Sequence, residues 1–494
     1  MSSSDLPASC VIFGASGDLT RRKLVPALYH LVKEGHFPAG LLTLGVARRP
    51  KTDEQFQAEL LDAAQKYSRT KGVDPAVWAK VASRLGYVQG TFEDPATYAA
   101  LKSRLDASAP TGTRLFYLAV GPDDMLGIVQ RLAEAGLLAH DPASGRRAHV
   151  VVEKPFGEDL PSAHALNQEL FKYLSEDQLF RIDHYLGKET VQNLAVLRFE
   201  NMIFEALWNR NHVSHVEITV AEDIGIEGRG KFYEKVGITR DVVQNHVLQI
   251  LTLVAMEPPL SLEANALRDE KVKVLRALRP LTGKDVGKEV VRAQYTEGLV
   301  GGETVPAYRA EADVDPVSKT DTYVAMRVFV DNWRWAGVPF FLRAGKRLSR
   351  RLAEVVVHFR DPPYPLFPES SGRSANVLVL RLQPDEGISL RFDTKVPGGN
   401  MRIQGVDMEW SYGKAFGGGG PEAYERLLLD ALRGDATLFT RHDEVEAQWR
   451  FIDPIVQAYR DDNAPLSFYS AGTRGPDEAE RLLVEHGQAW RPLL

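Results

Sequence analysis

The first 180 residues alternate short apolar runs with stretches that have helical spacing. Apolar runs with little internal alternation are typical of strands that are covered on both faces, and the helical stretches between them supply the crossovers of a parallel sheet. The pattern therefore predicts a doubly wound α/β domain at the amino-terminal end. Four runs carry this prediction, at residues 10–13, 41–46, 115–120 and 149–152.

The pattern changes from about residue 213, where apolar and polar positions begin to alternate and few helices intervene. Alternation is typical of antiparallel strands with one solvated face, so we predict a larger α+β domain with a mostly antiparallel sheet. We place the domain boundary between residues 182 and 183. The predicted strands are 216–220, 353–359, 377–382 and 388–392, and the predicted helices are 241–256, 261–275 and 422–432.

A glycine-containing turn follows the first predicted strand and opens a helix. Glycines let the backbone approach a pyrophosphate, and the helix N-terminus attracts it, so the turn indicates a Rossmann-like dinucleotide site. This turn is not a full G-x-G-x-x-G pattern and also occurs in unrelated α/β folds. Arg48 follows the second apolar run, at residues 41–46. An arginine at this place accommodates the 2′-phosphate of NADP, whereas an acidic residue would select NAD. The alternative is that Arg48 belongs to a solvated basic turn. The turn comprises Gly14, Ala15, Ser16, Gly17, Asp18 and Leu19.

Composition narrows the class of protein further. The 494 residues carry a net charge of −6, which disfavours nucleic acid as a partner. No apolar stretch is long enough for a membrane span, and the first ten residues do not resemble a secretory signal. The single cysteine, Cys10, fits a reducing compartment, so we expect a cytoplasmic protein. The glycine run at 417–420 is expected to be a mobile surface loop.

The segment 181–189 places a carboxylate, an imidazole, a phenol and an ammonium close together, which is unusual at a domain boundary. If a strand ends at Asp183 and a helix starts near Gly187, then His184, Tyr185 and Lys188 can reach one anion near the helix N-terminus. A sugar phosphate would suit these three side chains.

Several ordered segments together resemble the signatures of the glucose-6-phosphate dehydrogenase family, and the resemblance runs nearly from end to end. It implies a Rossmann-like domain, NADP as cofactor, glucose 6-phosphate as substrate and a homodimer or homotetramer. The segments are 14–23, 153–157, 181–189, 208–210, 227–230, 238–246, 338–346 and 474–476.

The resemblance implies that His246 is the general base for the C1 hydroxyl proton and that Asp183 orients it. An imidazole titrates near neutral pH, and a carboxylate on its other nitrogen fixes the tautomer. The alternative for His246 is a core histidine, because its predicted helix is largely apolar. No metal is expected: His212 and His215 enter an apparent strand, where a spacing of three puts them on opposite faces.

The remaining site residues also follow from the resemblance. Phosphate ligands are His184, Tyr185 and Lys188, joined by Lys346 and Arg351; hydroxyl ligands are Glu222, Asp241 and Gln383; Lys154 touches both substrate and cofactor, and Tyr117 and Lys23 complete the cofactor site. Pro155 is expected to follow a cis peptide. Solvated side chains at Lys346 and Arg351, and capping roles for Glu222 and Asp241, are the alternatives.

One departure concerns a second, structural NADP that some family members hold with basic residues. Leu352 replaces one of those residues, so this second site is not expected here, although Arg391 could still serve one.

Two other functions stay open at this stage: a dehydrogenase of an unphosphorylated sugar, and a non-catalytic NADP-binding regulator. The phosphate-binding segment 183–188 argues against the first, and the retention of both Asp183 and His246 argues against the second.

Overall fold

The computed structural model describes residues 8–37, 41–108, 112–141, 145–364, 366–367, 375–398, 401–417, 420–484 and 487–493. The chain divides into two compact units. Unit 1 comprises residues 1–188, 260–268 and 419–446, and unit 2 comprises residues 189–259, 269–418 and 447–494. The predicted boundary between residues 182 and 183 divides the chain into two continuous stretches, whereas each of these units combines three segments. That boundary stays a prediction.

The strands, in chain order, are β1 Ala8–Phe13, β2 Leu42–Ala47, β3 Leu85–Gln89, β4 Gly112–Leu118, β5 Arg146–Val152, β6 Leu179–Ile182, β7 Val213–Ala221, β8 Val290–Thr296, β9 Gly298–Val300, β10 Glu303–Val305, β11 Tyr323–Phe329, β12 Pro339–Gly345, β13 Leu352–Phe359, β14 Val377–Gln383, β15 Gly387–Lys395, β16 Ile403–Ser411, β17 Phe439–Thr440 and β18 Leu466–Ser470.

The α-helices are α1 Val25–Lys33, α2 Asp53–Tyr67, α3 Pro75–Ala82, α4 Pro95–Ser108, α5 Pro122–Glu134, α6 Leu160–Leu170, α7 Glu189–Phe199, α8 Met202–Leu207, α9 Gly230–Ile238, α10 Leu248–Ala255, α11 Ala264–Arg276, α12 Lys284–Glu289, α13 Tyr412–Phe416, α14 Ala423–Arg433, α15 His442–Arg460 and α16 Arg481–Val484. Two π-helical segments, Thr20–Leu24 and Thr239–Val247, lead into α1 and α10 respectively. Short 3-10 turns lie at Glu176–Gln178, Tyr308–Ala310 and Asp477–Glu480.

The sheet of unit 1 has the order β17-β6-β5-β4-β1-β2-β3. All neighbours pair in parallel except β17, which is antiparallel to β6. Every residue of β1 and β2 is buried, because helices cover both faces of the sheet. The strand order reverses direction between β1 and β4, so the doubly wound prediction is confirmed.

The main sheet of unit 2 has the order β16-β15-β14-β13-β7-β12-β11-β8-β18. Its pairs are antiparallel, except that β7 with β12 and β8 with β18 run parallel. The prediction of a mostly antiparallel sheet in an α+β unit is thus confirmed. One face of this sheet packs on a core that includes Tyr233, Tyr295 and Tyr323. Among the described residues, no helix is long and apolar enough to cross a membrane.

The helix predicted at 241–256 begins earlier and in another geometry. Its first part is the π-helical segment Thr239–Val247, and α10 follows at once. Asp241 therefore lies inside the helical run, and the suggestion that it caps the N-terminus is wrong. The carboxylate of Asp321 takes that role, because its Oδ2 accepts hydrogen bonds from the backbone N–H and the hydroxyl of Thr239.

Candidate active site

The glycine turn of unit 1 lies where β1 and β4 end side by side. Gly14 has φ +79°, and a Cβ atom there would lie 2.2 Å from the carbonyl oxygen of Ala119, so a larger residue does not fit. Its N–H donates to the carbonyl of Val46, and the N–H of Gly17 donates to the carbonyl of Gly14. This is the switch point of the sheet, where dinucleotides bind in open α/β folds, and the tight turn suits a pyrophosphate.

Three basic side chains near this turn in unit 1 differ in their exposure and in their partners. Arg48 is exposed and directly follows β2. Lys23 is exposed and forms an ion pair with Glu422 at 3.0 Å. Lys51, which the sequence did not single out, is 11% exposed at its side chain and donates to Ser16 Oγ at 3.3 Å. Lys51 thus contacts the turn, although the spacing of the motif gives no sign of it.

Tyr117 and Glu153 meet at the ends of the neighbouring strands β4 and β5. Tyr117 is fully buried, and its hydroxyl donates to the carboxylate of Glu153, which also accepts from Tyr424 at 3.3 Å. Burial raises the pKa of Glu153 and holds the pKa of Tyr117 well above its ordinary value. The next residue, Lys154, is half-buried and precedes a cis peptide to Pro155, as expected.

The segment after β6 folds back on itself within unit 1. Asp183 is 3% exposed, and its Oδ1 accepts a hydrogen bond from the backbone N–H of Tyr185 at 2.9 Å. The Nζ of Lys188 lies 3.9 Å from the ring centroid of Tyr185, while the ring of His184 lies 5.0 Å from it. The structure therefore gathers His184, Tyr185 and Lys188 in one small cluster, with β6 ending at Ile182 and α7 starting at Glu189.

Glu222 and Lys346 form a second cluster, in unit 2. They directly follow β7 and β12, whose parallel pairing brings Ala221 opposite Gly345. The carboxyl ends of parallel strands share one edge, so the two side chains meet, with Lys346 Nζ 2.5 Å from Glu222 Oε2. Lys346 is 2% exposed, so the alternative of a solvated lysine is wrong, whereas Arg351 is exposed.

His246 and Asp241 share the π-helical segment of unit 2. His246 is 3% exposed, and Asp241 is half-buried. Burial raises the pKa of Tyr233 well above its ordinary value, and the negative charge of Asp241 raises it further. Lys346 Nζ lies 5.4 Å from the Tyr233 ring. The segment thus brings Asp241 toward the same part of unit 2 as the Glu222–Lys346 pair.

Three further residues lie on neighbouring strands of unit 2. β14 ends at Gln383, β15 contains Arg391, and β13 starts at Leu352. Gln383 is half-buried and precedes a cis peptide to Pro384. The guanidinium of Arg391 donates to both carboxylate oxygens of Asp407, at 3.0 and 2.8 Å. Leu352 is 4% exposed and belongs to the core of unit 2.

The two histidines weighed as metal ligands have different settings. His212 is an exposed turn residue, while His215 is buried on β7 and stacks on His358 of β13, with ring centroids 4.0 Å apart and planes 12° apart. His358 Nε2 lies 2.8 Å from Glu217 Oε1, and the other oxygen of Glu217 accepts from the backbone N–H of Arg491. Two nearly parallel imidazoles do not aim their ring nitrogens at one point, so this group is better described as hydrogen-bonded side chains than as a metal site.

The parallel sheet of unit 1, with its glycine turn at the switch point, defines a dinucleotide-binding domain, and its combination with an α+β unit is typical of nicotinamide-dependent dehydrogenases. The family "Glucose-6-phosphate dehydrogenase, NAD binding domain" matches residues 11–193, and "Glucose-6-phosphate dehydrogenase, C-terminal domain" matches residues 195–491. The chain belongs to the glucose-6-phosphate dehydrogenase family, which confirms the resemblance found in the sequence.

Individual relatives agree with this assignment. A glucose-6-phosphate 1-dehydrogenase of Aggregatibacter actinomycetemcomitans is 47% identical over 97% of this chain and 96% of its own length. A solved structure described as glucose-6-phosphate dehydrogenase in complex with its substrate glucose-6-phosphate is 36% identical, has a TM-score of 0.90 and covers all of both chains. The enzyme from Mycobacterium avium is 39% identical, with a TM-score of 0.82 over 98% of this chain and 99% of that one.

Proposed function

We propose that this chain oxidises D-glucose 6-phosphate at C1 to 6-phospho-D-glucono-1,5-lactone, with NADP as the hydride acceptor. This is the first step of the oxidative pentose phosphate pathway. The observation that carries the proposal is the 47% identity, over 97% of this chain, to a glucose-6-phosphate 1-dehydrogenase, combined with a tight glycine turn at the switch point of the parallel sheet. We also propose a cytoplasmic location and a homodimeric or homotetrameric assembly, as the family resemblance implies.

In this proposal His246 accepts the proton of the C1 hydroxyl, and Asp183 is the carboxylate that orients the imidazole. Both side chains are at least 97% buried, where a charge-assisted hydrogen bond is strong and water does not compete. NADP, when bound, supplies the electrophilic ring carbon that takes the hydride. Loss of the proton from the C1 hydroxyl oxygen and of the hydride from C1 itself forms the C1=O bond, which converts the hemiacetal to a lactone without any covalent enzyme intermediate.

The phosphate and the hydroxyls of the sugar would be bound by separate clusters. A dianionic phosphate gains from several cations and neutral donors, which the segment after β6 offers. Glu222 and Asp241 are carboxylates that would accept hydrogen bonds from sugar hydroxyls, and Lys346 forms an ion pair with Glu222. The proposed phosphate ligands are His184, Tyr185, Lys188, Lys346 and Arg351; the proposed hydroxyl ligands are Glu222, Asp241 and Gln383; and Lys154 would contact both sugar and cofactor.

The cofactor would lie along the turn Gly14–Leu19, with Lys23, Arg48 and Tyr117 as further contacts. Arg48 is the proposed ligand of the 2′-phosphate, because a guanidinium binds a phosphate through two parallel hydrogen bonds. Its exposure after β2 leaves that side chain able to reach a ligand.

The test is the initial rate of absorbance increase at the reduced-nicotinamide band, with glucose 6-phosphate or glucose, and with NADP or NAD. We expect rapid turnover of the phosphate ester with NADP. Preference for free glucose would instead identify a dehydrogenase of an unphosphorylated sugar. NADP binding without turnover of either sugar would identify a non-catalytic regulator.

A further inference from the structure

A cavity of about 250 Å³ lies within unit 2, beside the π-helical segment Thr239–Val247. Its walls come from the end of α9, the start of that segment, the strand β8, residues 319–321 and the C-terminal end of α15. None of the proposed phosphate ligands of the substrate lines it. Drug-sized ligands occupy roughly 300–1,000 Å³, so the cavity suits a compact ligand.

The lining of this cavity is cationic. Four basic side chains reach it, namely Arg240, Arg292, Lys319 and Arg460, against the two carboxylates Glu234 and Asp321, so the formal charge of the lining is four minus two, or +2. Both carboxylates already accept hydrogen bonds from neighbouring groups: Glu234 from Tyr308 and Ser318, and Asp321 from Thr239. A bound anion would therefore meet mainly cations.

Arg292 is the central observation. It is 4% exposed and lies over the ring of Tyr459, and its guanidinium donates to the backbone carbonyls of Ala464, Lys319 and Tyr459. Among the hydrogen bonds of the described residues, none joins Arg292 to a carboxylate. Buried charges in proteins are almost always paired, so a buried guanidinium held only by carbonyls leaves positive potential at the cavity.

The exposed cations at the mouth add to that potential. Arg460 is exposed, and within the described residues it makes no ion pair. Lys319 pairs with Asp462 at 2.9 Å, but both side chains are at least 65% exposed, so this pair is weak and its lysine is available to a ligand. Lys319 and Arg460 thus add two exposed cations to a lining that already holds the buried guanidinium of Arg292.

We propose that this cavity binds a phosphate group, either as inorganic phosphate or as a compact phosphate monoester, separately from the substrate. Phosphate offers the several acceptor oxygens and the double negative charge that match this set of donors. The inference does not depend on the proposed function, because it concerns binding by residues outside the proposed catalytic and substrate groups.

The test is calorimetric titration of the full-length protein with inorganic phosphate. The Lys188→Ala protein serves as background, so that the proposed substrate-phosphate cluster is weakened. We expect this protein still to bind one phosphate per chain. In the same background, Lys319→Ala combined with Arg460→Ala should weaken binding at least tenfold. The matched control is Lys284→Ala combined with Lys288→Ala, which removes two exposed charges from α12 and should leave the affinity unchanged.

Further measurements separate the remaining explanations. Glycerol 3-phosphate, titrated in parallel, should bind more tightly than inorganic phosphate if the natural ligand is an ester, and equally if the phosphate group alone is recognised. Lys319→Glu, a single exposed change, should abolish binding while the thermal unfolding midpoint stays within a degree or two. Absence of phosphate binding in the Lys188→Ala protein, or equal affinity of the two double variants, would overturn the proposal. Turnover of glucose 6-phosphate is recorded separately, so failure of the proposed function is distinguishable.

Discussion

At the scale of single residues, His246 is the proposed general base, so the proposed reaction depends on it most directly. Replacing it with asparagine keeps a polar side chain of similar reach but removes the group that accepts a proton near neutral pH. We expect kcat to fall by about 10²–10⁴-fold, the usual contribution of a general base, with little change in the affinity for sugar phosphate. Steady-state kinetics, with the exposed His212→Asn as control, measure this. Near-normal turnover would make His246 a core histidine.

Arg48 should decide the choice between the two nicotinamide cofactors. In an Arg48→Ala protein we expect the Kd of NADP to rise about 10- to 100-fold, because a charge-assisted hydrogen bond is worth roughly 1.5–3 kcal/mol. The Kd of NAD, which has no 2′-phosphate, should change little. Arg49→Ala is the matched control, since Arg49 is also exposed and adjacent. An equal loss for NAD and NADP would show that Arg48 acts only as a general charge.

Cys10 offers a test of packing rather than of chemistry. It lies in β1 with no exposed surface, and burial raises the pKa of its thiol to about 12. Because the thiolate is the reactive form, we expect no labelling by iodoacetamide at pH 8 in the native protein and one label per chain after denaturation in guanidinium. Mass spectrometry counts the label. Rapid native labelling would show that β1 opens readily or that Cys10 is more accessible than the structure indicates.

Residue environments were the hardest feature to predict from sequence. Lys346 stands between glycine and arginine, a composition typical of a solvated turn, yet it is buried against Glu222 because two distant strands end side by side. Lys51 contacts Ser16, and His215 stacks on His358, for the same reason. Contacts such as these depend on strand pairing over more than thirty residues of sequence, which local spacing does not encode.

At the scale of elements, the end of α10 depends on two tryptophans. The indole N–H of Trp208 donates to the carbonyl of Val254 at 2.7 Å, and that of Trp335 donates to the carbonyl of Ala255 at 2.8 Å; both rings are fully buried. The last carbonyls of a helix have no partner within the helix, so these donors satisfy groups that would otherwise be buried without a hydrogen bond.

Trp208→Phe should therefore loosen the last turn of α10. It removes the donor and leaves the carbonyl of Val254 buried, which costs about 1–3 kcal/mol. We expect faster amide hydrogen exchange in the last turn of α10 and a lower thermal midpoint. Trp335→Phe is the paired comparison, and similar effects from both would assign the stability to the capping hydrogen bonds. No change in exchange after either substitution would assign it to ring packing alone.

The sequence predicted four strands of unit 1 and four of unit 2, but it missed others in both units, including the fully buried β12. The strands around residues 10, 45, 117 and 150 were found because helices cover both faces. β3 escaped notice, since Leu85–Gln89 has only a short apolar stretch interrupted by glycine. The two-residue strand β17 pairs with β6 across more than 250 residues of sequence, so no local pattern could reveal it. The expected loop at 417–420 includes two residues outside the described part of the chain.

At the scale of the whole molecule, the order of strands in each sheet follows from which runs alternate and which do not. Unit 1 obeys the rule for parallel sheets, with its glycine turn at the reversal of strand order, and that placement was predictable. The membership of residues 260–268 and 419–446 in unit 1 was not, because those helices have the same spacing as helices elsewhere in the chain. Sequence pattern gives the architecture of each unit but not which later segments return to complete it.

The stability of the molecule should fall in mild acid, and His149 of unit 1 supplies a defined part of that loss. It is 2% exposed, its Nδ1 lies 2.6 Å from the carbonyl of Ala431, and burial lowers its pKa from 6.5 to about 4. The unfolded chain therefore binds a proton between pH 6.5 and pH 4 that the folded chain does not, so stability rises with pH across this window and is lost as pH falls. Each pH unit in the window costs about 1.4 kcal/mol, or about 2 kcal/mol between pH 6.5 and 5.

His149→Asn keeps a donor for the carbonyl of Ala431 but does not titrate, so the variant should lack this part of the pH dependence even if it is less stable at pH 7.5. Urea unfolding of unit 1, followed at pH 7.5, 6.5, 5.5 and 4.5, measures the two slopes. His36→Asn, which removes one exposed imidazole from unit 1, is the matched control, and we expect it to keep the slope of the unmodified protein. Parallel pH profiles for the unmodified protein and His149→Asn would mean that His149 is protonated equally in both states, and hence that its surroundings admit water.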